Sequence, residues 1–186
     1  MVGKRVWISV PIGSARLQYD LLVGDVLPPK WKGVVADLEI EWKRPEKGSG
    51  IRELVSARMV GDGNGVVAQR VNLDAGADRS PLVSNYAAPA NGYEASHADA
   101  ATAVGAEIGE GIPPHVLYYL KIRSSLPSGP LFGKMYGAIE YRAYEESDVI
   151  EFQYVINASS SRAVEMDMAR ITVPSKKAYE RPPQQF

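Results

Sequence analysis

Apolar and polar residues alternate with period two along much of this chain, the spacing expected of strands that bury one face. The clearest run carries apolar residues at Val34, Ala36, Leu38, Ile40 and Trp42, with Asp37, Glu39, Glu41 and Lys43 between them. A second places Val116, Tyr118, Leu120 and Ile122 on one face and Lys121 and Arg123 on the other. A third sets Ile150, Phe152, Tyr154 and Ile156 against Glu151 and Gln153. Shorter runs occur at Val6, Ile8 and Val10, at Val55, Ala57 and Met59, and at Met135, Ile139 and Tyr141. Six or more such segments in one small chain predict an all-β fold. Near the end the phase shifts, from Val164, Met166 and Met168 to Ile171 and Val173. A one-residue shift exchanges the faces of a strand, which predicts a bulge or bend near Ala169-Arg170.

Turn-forming residues separate these runs, at Pro28-Pro29, Pro45 to Gly50, Gly61-Asp62-Gly63-Asn64-Gly65 and Pro127-Ser128-Gly129-Pro130. The stretch from Asn72 to Glu94 is rich in Ala, Asp, Asn, Ser and Pro and reads as a long irregular loop of the kind that often carries function. One short helix is expected beyond it. Ser96 caps it with Asp99 three residues on, Gly109 ends it, and Ala98, Ala101, Val104 and Ile108 form its apolar stripe. The Pro-rich tail, residues 174–186, ends in Arg181-Pro182-Pro183-Gln184-Gln185-Phe186 and is expected to lie on the surface or against a neighbour. With no repeat and no composition break, residues 1–186 read as a single domain.

Composition narrows the function classes. Apolar residues make up 45% and charged residues 23% of the chain, an ordinary globular balance. The formal net charge is −1, so no global field gathers nucleic acid or an anionic membrane. The absence of cysteine removes disulfides, thiolate metal sites and a thiol nucleophile together. No run approaches the roughly 20 apolar residues of a membrane-spanning helix, and the start lacks the apolar core of a signal peptide. The expectation is a soluble intracellular protein.

Candidate chemistry is sparse. The two histidines, His97 and His115, have no neighbouring motif, so an exposed or core-edge role is the simpler reading and no enzyme is expected. Asp62 and Asn64, with Asp74 and Asp78 in the next loop, could supply oxygen ligands to calcium. The same glycines and asparagine also suit a plain hairpin connection, since both residue types accept positive φ. Adjacent Glu145 and Glu146 would point to opposite faces of a strand and cannot converge on one substrate. Lys4, Arg5, Lys30, Lys32, Lys176, Lys177 and Arg181 form small basic groups that could meet phosphates without reading sequence. Among the 10 tyrosines, Tyr118, Tyr119, Tyr136, Tyr141, Tyr144 and Tyr154 fall in the C-terminal strands. Such rings suit core edges and subunit interfaces alike.

The segment Leu117-Tyr118-Tyr119-Leu120-Lys121-Ile122 runs through Pro127-Ser128-Gly129-Pro130 into the stretch from Gly133 to Arg142. It resembles the closing strand pair of the single jelly-roll coat proteins of small icosahedral RNA viruses. Leu27-Pro28-Pro29-Lys30-Trp31, leading into Val34 to Lys43, is similar to their early strands. The resemblance implies an antiparallel jelly-roll-type β sandwich of about eight to ten strands. It further implies self-assembly into a capsid shell, with viral RNA as a non-specific partner and the virion and host cytoplasm as its location. Subunit contacts would then fall on Tyr118, Tyr119, Tyr136, Tyr144 and Phe186. No cofactor is expected, unless calcium bridges subunits. The chain departs from many such proteins in lacking a long basic N-terminal arm, having only Lys4 and Arg5 there. Plant-virus movement proteins are also similar in outline, which keeps a non-enzymatic module binding nucleic acid or another ligand as the alternative.

Overall fold

The computed structural model describes residues 2–29, 31–43, 54–71, 87–95, 115–137 and 139–164. Ten described strands form two antiparallel sheets, and none of the described residues is helical. The all-β sandwich follows from the alternation, and its strand number falls in the expected range. The expected helix over residues 96–109, the phase shift near Ala169-Arg170 and the 174–186 tail lie outside the described residues.

The larger sheet runs β1 (Val2–Pro11), β10 (Ser147–Asn157), β8 (Leu131–Tyr136), β7 (His115–Ile122) and β6 (Gly65–Val71). Short β9 (Glu140–Ala143) extends the line of β8 beside β10, because β10 pairs with β9 through residues 148–151 and with β8 through 154–157. The smaller sheet runs β3 (Asp25–Val26), β2 (Arg16–Asp20), β4 (Leu38–Lys43) and β5 (Leu54–Met59). Two packed antiparallel sheets are what this fold shares with a jelly roll. The winding is simple: after β1 the chain fills the smaller sheet with β2 to β5, then returns through β6 to β10.

Alternation decides what lies between the sheets. Val6, Ile8 and Val10 of β1, with Phe152, Tyr154 and Ile156 of β10, face Leu17 and Tyr19 of β2 and Leu38, Ile40 and Trp42 of β4. Tyr19 meets Phe152 edge-on at 5.2 Å and Tyr154 at 6.1 Å, so one ring from the smaller sheet is wedged against two from the larger. Tyr154 also donates its hydroxyl to Leu21 O at 2.8 Å, which satisfies a polar tip that burial would otherwise strand. Each such ring contributes on the order of 1.5–3 kcal/mol by leaving water. Gly133 has a packing reason of its own: it sits opposite Ile156, and a Cβ there would collide with the Ile156 side chain and Val155 O.

A thin third layer covers the outer face of the larger sheet. Residues 87–95 and 161–164 lie across it, tied together by Ala88 N donating to Arg162 O at 2.7 Å. Ala88 and Val164 bury Tyr119 and Phe132 beneath them, with Tyr93 packed alongside. Lys134 is buried in the same region, its Nζ 5.3 Å from the Tyr119 ring centroid and 5.9 Å from that of Tyr136.

Candidate functional site: a loop rim pinned by Asp20, Asp37 and Arg123

β7 ends at Ile122, and Arg123 turns the chain with φ of 52°, a left-handed conformation that side-chain-bearing residues adopt at some cost. The turn sends the guanidinium across to the smaller sheet instead of outward. There Arg123 Nη2 donates to Asp20 Oδ1 at 2.7 Å and to Asp37 Oδ2 at 3.0 Å, while its Nε donates to Asp37 Oδ1 at 3.0 Å. Both carboxylates are buried, at 1% and 0% relative exposure. This ion triad ties the end of β2, the approach to β4 and the end of β7 into one rim.

Asp20 does a second job. Its Oδ1 accepts the backbone N–H of Leu22 at 3.0 Å and of Val23 at 2.9 Å. Its Oδ2 accepts those of Val34 and Val35, both at 3.0 Å. Short side chains at strand ends take up backbone donors in this way because a turn leaves those donors without ladder partners. Asp37 accepts the N–H of Leu21 at 3.0 Å. Lys4 reaches over the same turn and donates to Val23 O at 2.5 Å. The β5–β6 connection joins the rim through Val60 N on Asp37 O at 2.9 Å, and Asn64 Oδ1 accepts Ser124 N at 2.9 Å.

This machinery presents apolar surface to water. Val23, Val34 and Val35 are exposed at 42%, 76% and 43%, and all three backbone N–H groups rest on Asp20. Trp31 and Leu126 are exposed on the adjoining β3–β4 and β7–β8 connections. Val34 and Ala36 therefore do not extend the buried face of β4. The strand begins only at Leu38, and the residues before it belong to the rim.

The protonation states follow from the same contacts. Burial pushes the Asp20 carboxyl up, but the N–H groups of Val23, Val35 and Val34 and the charge of Arg123 outweigh it and hold the group below its ordinary 3.8. For Asp37 burial wins over the Arg123 bonds, and the nearby Asp20 charge adds to it, so its pKa is raised. On the outer face of the smaller sheet, Glu39 is also buried. Desolvation opposes its charge, yet Arg58, Gln18 and Arg16 together lower its pKa below 4.5. Asp37 and Glu39, polar residues of an alternating run expected to face water, are thus covered, Asp37 by Arg123 just beyond β7 and Glu39 by Arg16 of β2 and Arg58 of β5.

These directions set an acid limit on stability. Asp20 and Glu39 bind protons less readily folded than unfolded, so their contribution is complete above about pH 5 and is lost as pH falls through their folded values. Asp37 acts oppositely: its contribution is present in acid and is lost as pH rises through its elevated value. The loss of stability between about pH 5 and about pH 3, read as the urea midpoint by tryptophan emission, should be smaller in Asp20→Asn than in wild type, because the variant lacks the group whose lowered pKa is linked to folding. An equal or larger loss in the variant would contradict this assignment. Asp37→Asn should cost less at neutral pH than Asp20→Asn, because burial already favours an uncharged group at position 37.

The other sequence candidates are dispersed. Tyr118 packs in the main core and Tyr119 under the third layer. Tyr141 and Tyr154 are likewise buried. Tyr136 is partly buried, its hydroxyl pushed up to about 12 by desolvation and then by Tyr119. Tyr144 is exposed at 46% on the β9–β10 hairpin. Phe186 lies outside the described residues, as do Asp74, Asp78, His97, Lys30, Lys176, Lys177 and Arg181. Lys4 is committed to the rim, and Arg5 is paired with Glu151 at 2.6 Å, so neither belongs to a free arm. Lys32 is exposed. His115 opens β7, its backbone in register with Val71. Asp62 is exposed in the β5–β6 turn, while Asn64 is occupied by Val60 O and Ser124 N. Gly61 and Gly63 take φ of 102° and 71° there, so the turn reading accounts for this segment. Among the described residues no group of three or more acidic, histidine or cysteine side chains could hold a metal, and no helix is long and apolar enough to cross a membrane.

Sequence reading missed Asp20, Asp37, Arg123 and the three valines as a unit. The available signal was Asp20 at a strand end, directly before the apolar turn Leu21-Leu22-Val23-Gly24. No protein-family model, curated protein or solved structure matches this chain.

Proposed function

We propose that this chain is a structural subunit that assembles with its own copies into a closed shell, a viral coat protein that meets nucleic acid through phosphates without reading sequence. The observation that carries the reading is the Asp20 clamp. A buried carboxylate spends four backbone hydrogen bonds on holding a turn and two neighbouring loop residues, and three valines stand out into solvent as a result. Apolar surface kept rigid in this manner suits a protein contact, because little conformational freedom is lost when a partner seats on it. A shell requires many identical rigid contacts that close, and loop rims on a stiff sandwich supply them.

The placement of aromatic residues supports the same reading. Among the described residues the exposed rings are Trp7 on edge strand β1, Trp31 on the β3–β4 connection and Tyr144 on the β9–β10 hairpin. Rings at edges and loops suit subunit contacts, whereas a ligand platform would gather them on an open sheet face. Tyr119, Phe132 and Tyr93 do share a sheet face, but the third layer covers it. Nucleic-acid contact in this reading rests on Lys32 with Lys30, Lys176, Lys177 and Arg181, and calcium between subunits would draw on Asp62, Asp74 and Asp78.

Light scattering on the purified protein, with and without RNA and a chelator of divalent ions, tests the proposal. The expected result is a particle of megadalton mass under at least one condition. Loss of the particle on chelation would place a cation between subunits. A monomer or dimer under every condition would overturn the shell reading and favour a non-enzymatic binding module, of movement-protein type or for another ligand.

A further inference from the structure

A bare sheet edge offers its backbone N–H and C=O groups to any other strand, so folds shorten or cover their edges. Among the described residues three of the four terminal strands of the two sheets are managed in that way. Val66 N of β6 donates to Glu94 O at 2.7 Å, and Glu94 N returns the bond to Val66 O at 3.1 Å. Met59 N of β5 donates to Ala95 O, in the same covering segment, at 2.8 Å. β3 is two residues long, and Gly33 N closes on Val26 O at 2.9 Å. The fourth terminal strand is β1, ten residues long, and no described strand pairs with its far side. Its register with β10 is unbroken from Val2 to Pro11, so no bulge turns the edge away, and its one proline ends it. Its charges do not guard it either. Lys4 is turned onto Val23 O, and Arg5 is neutralised by Glu151 at 2.6 Å.

We propose that β1 pairs antiparallel with β1 of a second copy about a two-fold axis at Trp7, joining two larger sheets into one. The sequence of the strand selects this partner. Trp7, 42% exposed on the outer face, stands opposite its own equivalent across the axis. On the same face Arg5 falls opposite Ser9, and on the inner face Val6 falls opposite Ile8 and Lys4 opposite Val10. No charge meets a like charge. The two Arg5 side chains lie about 14 Å apart along the strands, more than a Debye length in physiological salt. Opposed aromatic and β-branched residues are the cross-strand pairs that stabilise an antiparallel ladder. A two-fold contact needs a surface that complements itself, and this register uses the strand from Gly3 to Pro11 in both copies. The pairing goes beyond the shell reading and does not need it.

Trp7→Lys and Trp7→Glu each set like charges opposite one another across the axis, whereas a mixture of the two variants sets opposite charges there. Because the Trp7 side chain is exposed, both variants should keep the wild-type urea midpoint to within about 0.5 kcal/mol of stability. In sedimentation over about 1–100 µM, wild type should form species larger than the monomer. Each variant alone should need at least about tenfold more protein, and the equimolar mixture should associate at least about tenfold more readily than either. In wild type, the amides of β1 that point away from β10 should exchange with deuterium more slowly at the upper end of that range than at the lower. A wild type that stays monomeric throughout, variants that associate as it does, or a mixture no better than its components would each overturn the pairing. So would β1 amides that exchange alike at both concentrations. The shell reading is judged separately by the same measurements. Dimers with nothing larger under any condition would sustain the pairing and overturn the shell, while particles whose threshold neither variant moves would sustain the shell and overturn the pairing.

Discussion

Arg123→Ala should destabilise the fold by about 3–5 kcal/mol at neutral pH, read as a lower urea midpoint with an unchanged slope. The arginine side chain is only 18% exposed and the carboxylates it joins are buried, so its removal leaves two negative charges side by side without their cation. Water cannot reach them freely enough to compensate. The chain has one inexpensive response, which is to protonate Asp37, whose pKa burial has already raised. The deficit should therefore shrink as pH falls toward about 5, and Arg123→Ala combined with Asp37→Asn should recover part of the loss at neutral pH. Arg123→Lys should fall between wild type and alanine, since one ammonium cannot reproduce the fork that reaches both carboxylates. A cost below about 1 kcal/mol for Arg123→Ala, or no recovery in the double variant, would mean that the triad does not hold the rim.

How much of this was legible in the sequence depends on where each partner lies along the chain. Tyr118, Leu120 and Ile122 alternate with residues that face away, and a strand cannot place them otherwise, so their burial followed from spacing alone. Glu39 shows the limit of that logic. It occupies the outer phase of β4, yet Arg16 from β2 and Arg58 from β5 close over it. Alternation assigns a face; it does not say what the neighbouring strands put there. Arg123 fails for a different reason. Period two pointed it outward with Lys121, but its left-handed turn ends the strand and redirects the side chain to residues 86 and 103 positions away. Tyr119 falls in the outer phase of β7 with Lys121 and is still buried, because residues 87–95 and 161–164 return across that face. Local patterning gave the sheets, while the rim depends on pairings between loops far apart in sequence.

Val34→Glu should leave the fold nearly untouched and remove assembly. The Val34 side chain is 76% exposed, and its structural bond is made by the backbone N–H, which any residue other than proline retains. Unfolding stability should therefore stay within about 0.5 kcal/mol of wild type. A contact that buries Val34 would instead have to desolvate a carboxylate with no partner, a penalty of several kcal/mol at every copy of the interface. In a shell this penalty recurs at each repeat. On the shell reading, the protein concentration needed for particles should rise by at least about tenfold, and light scattering should report small species under conditions in which that reading expects megadalton ones for wild type. Val34→Ala should give a milder version of the same shift, since it loses apolar area without introducing charge. Asp20→Ala separates presentation of the valines from their chemistry. It keeps all three valines but frees the backbone that holds them, so assembly should weaken together with stability, whereas Val34→Glu should weaken assembly alone. If Val34→Glu assembles as wild type does, the rim valines are not a subunit contact, and shell formation would have to run through other surface, such as the exposed rings at Trp7, Trp31 and Tyr144.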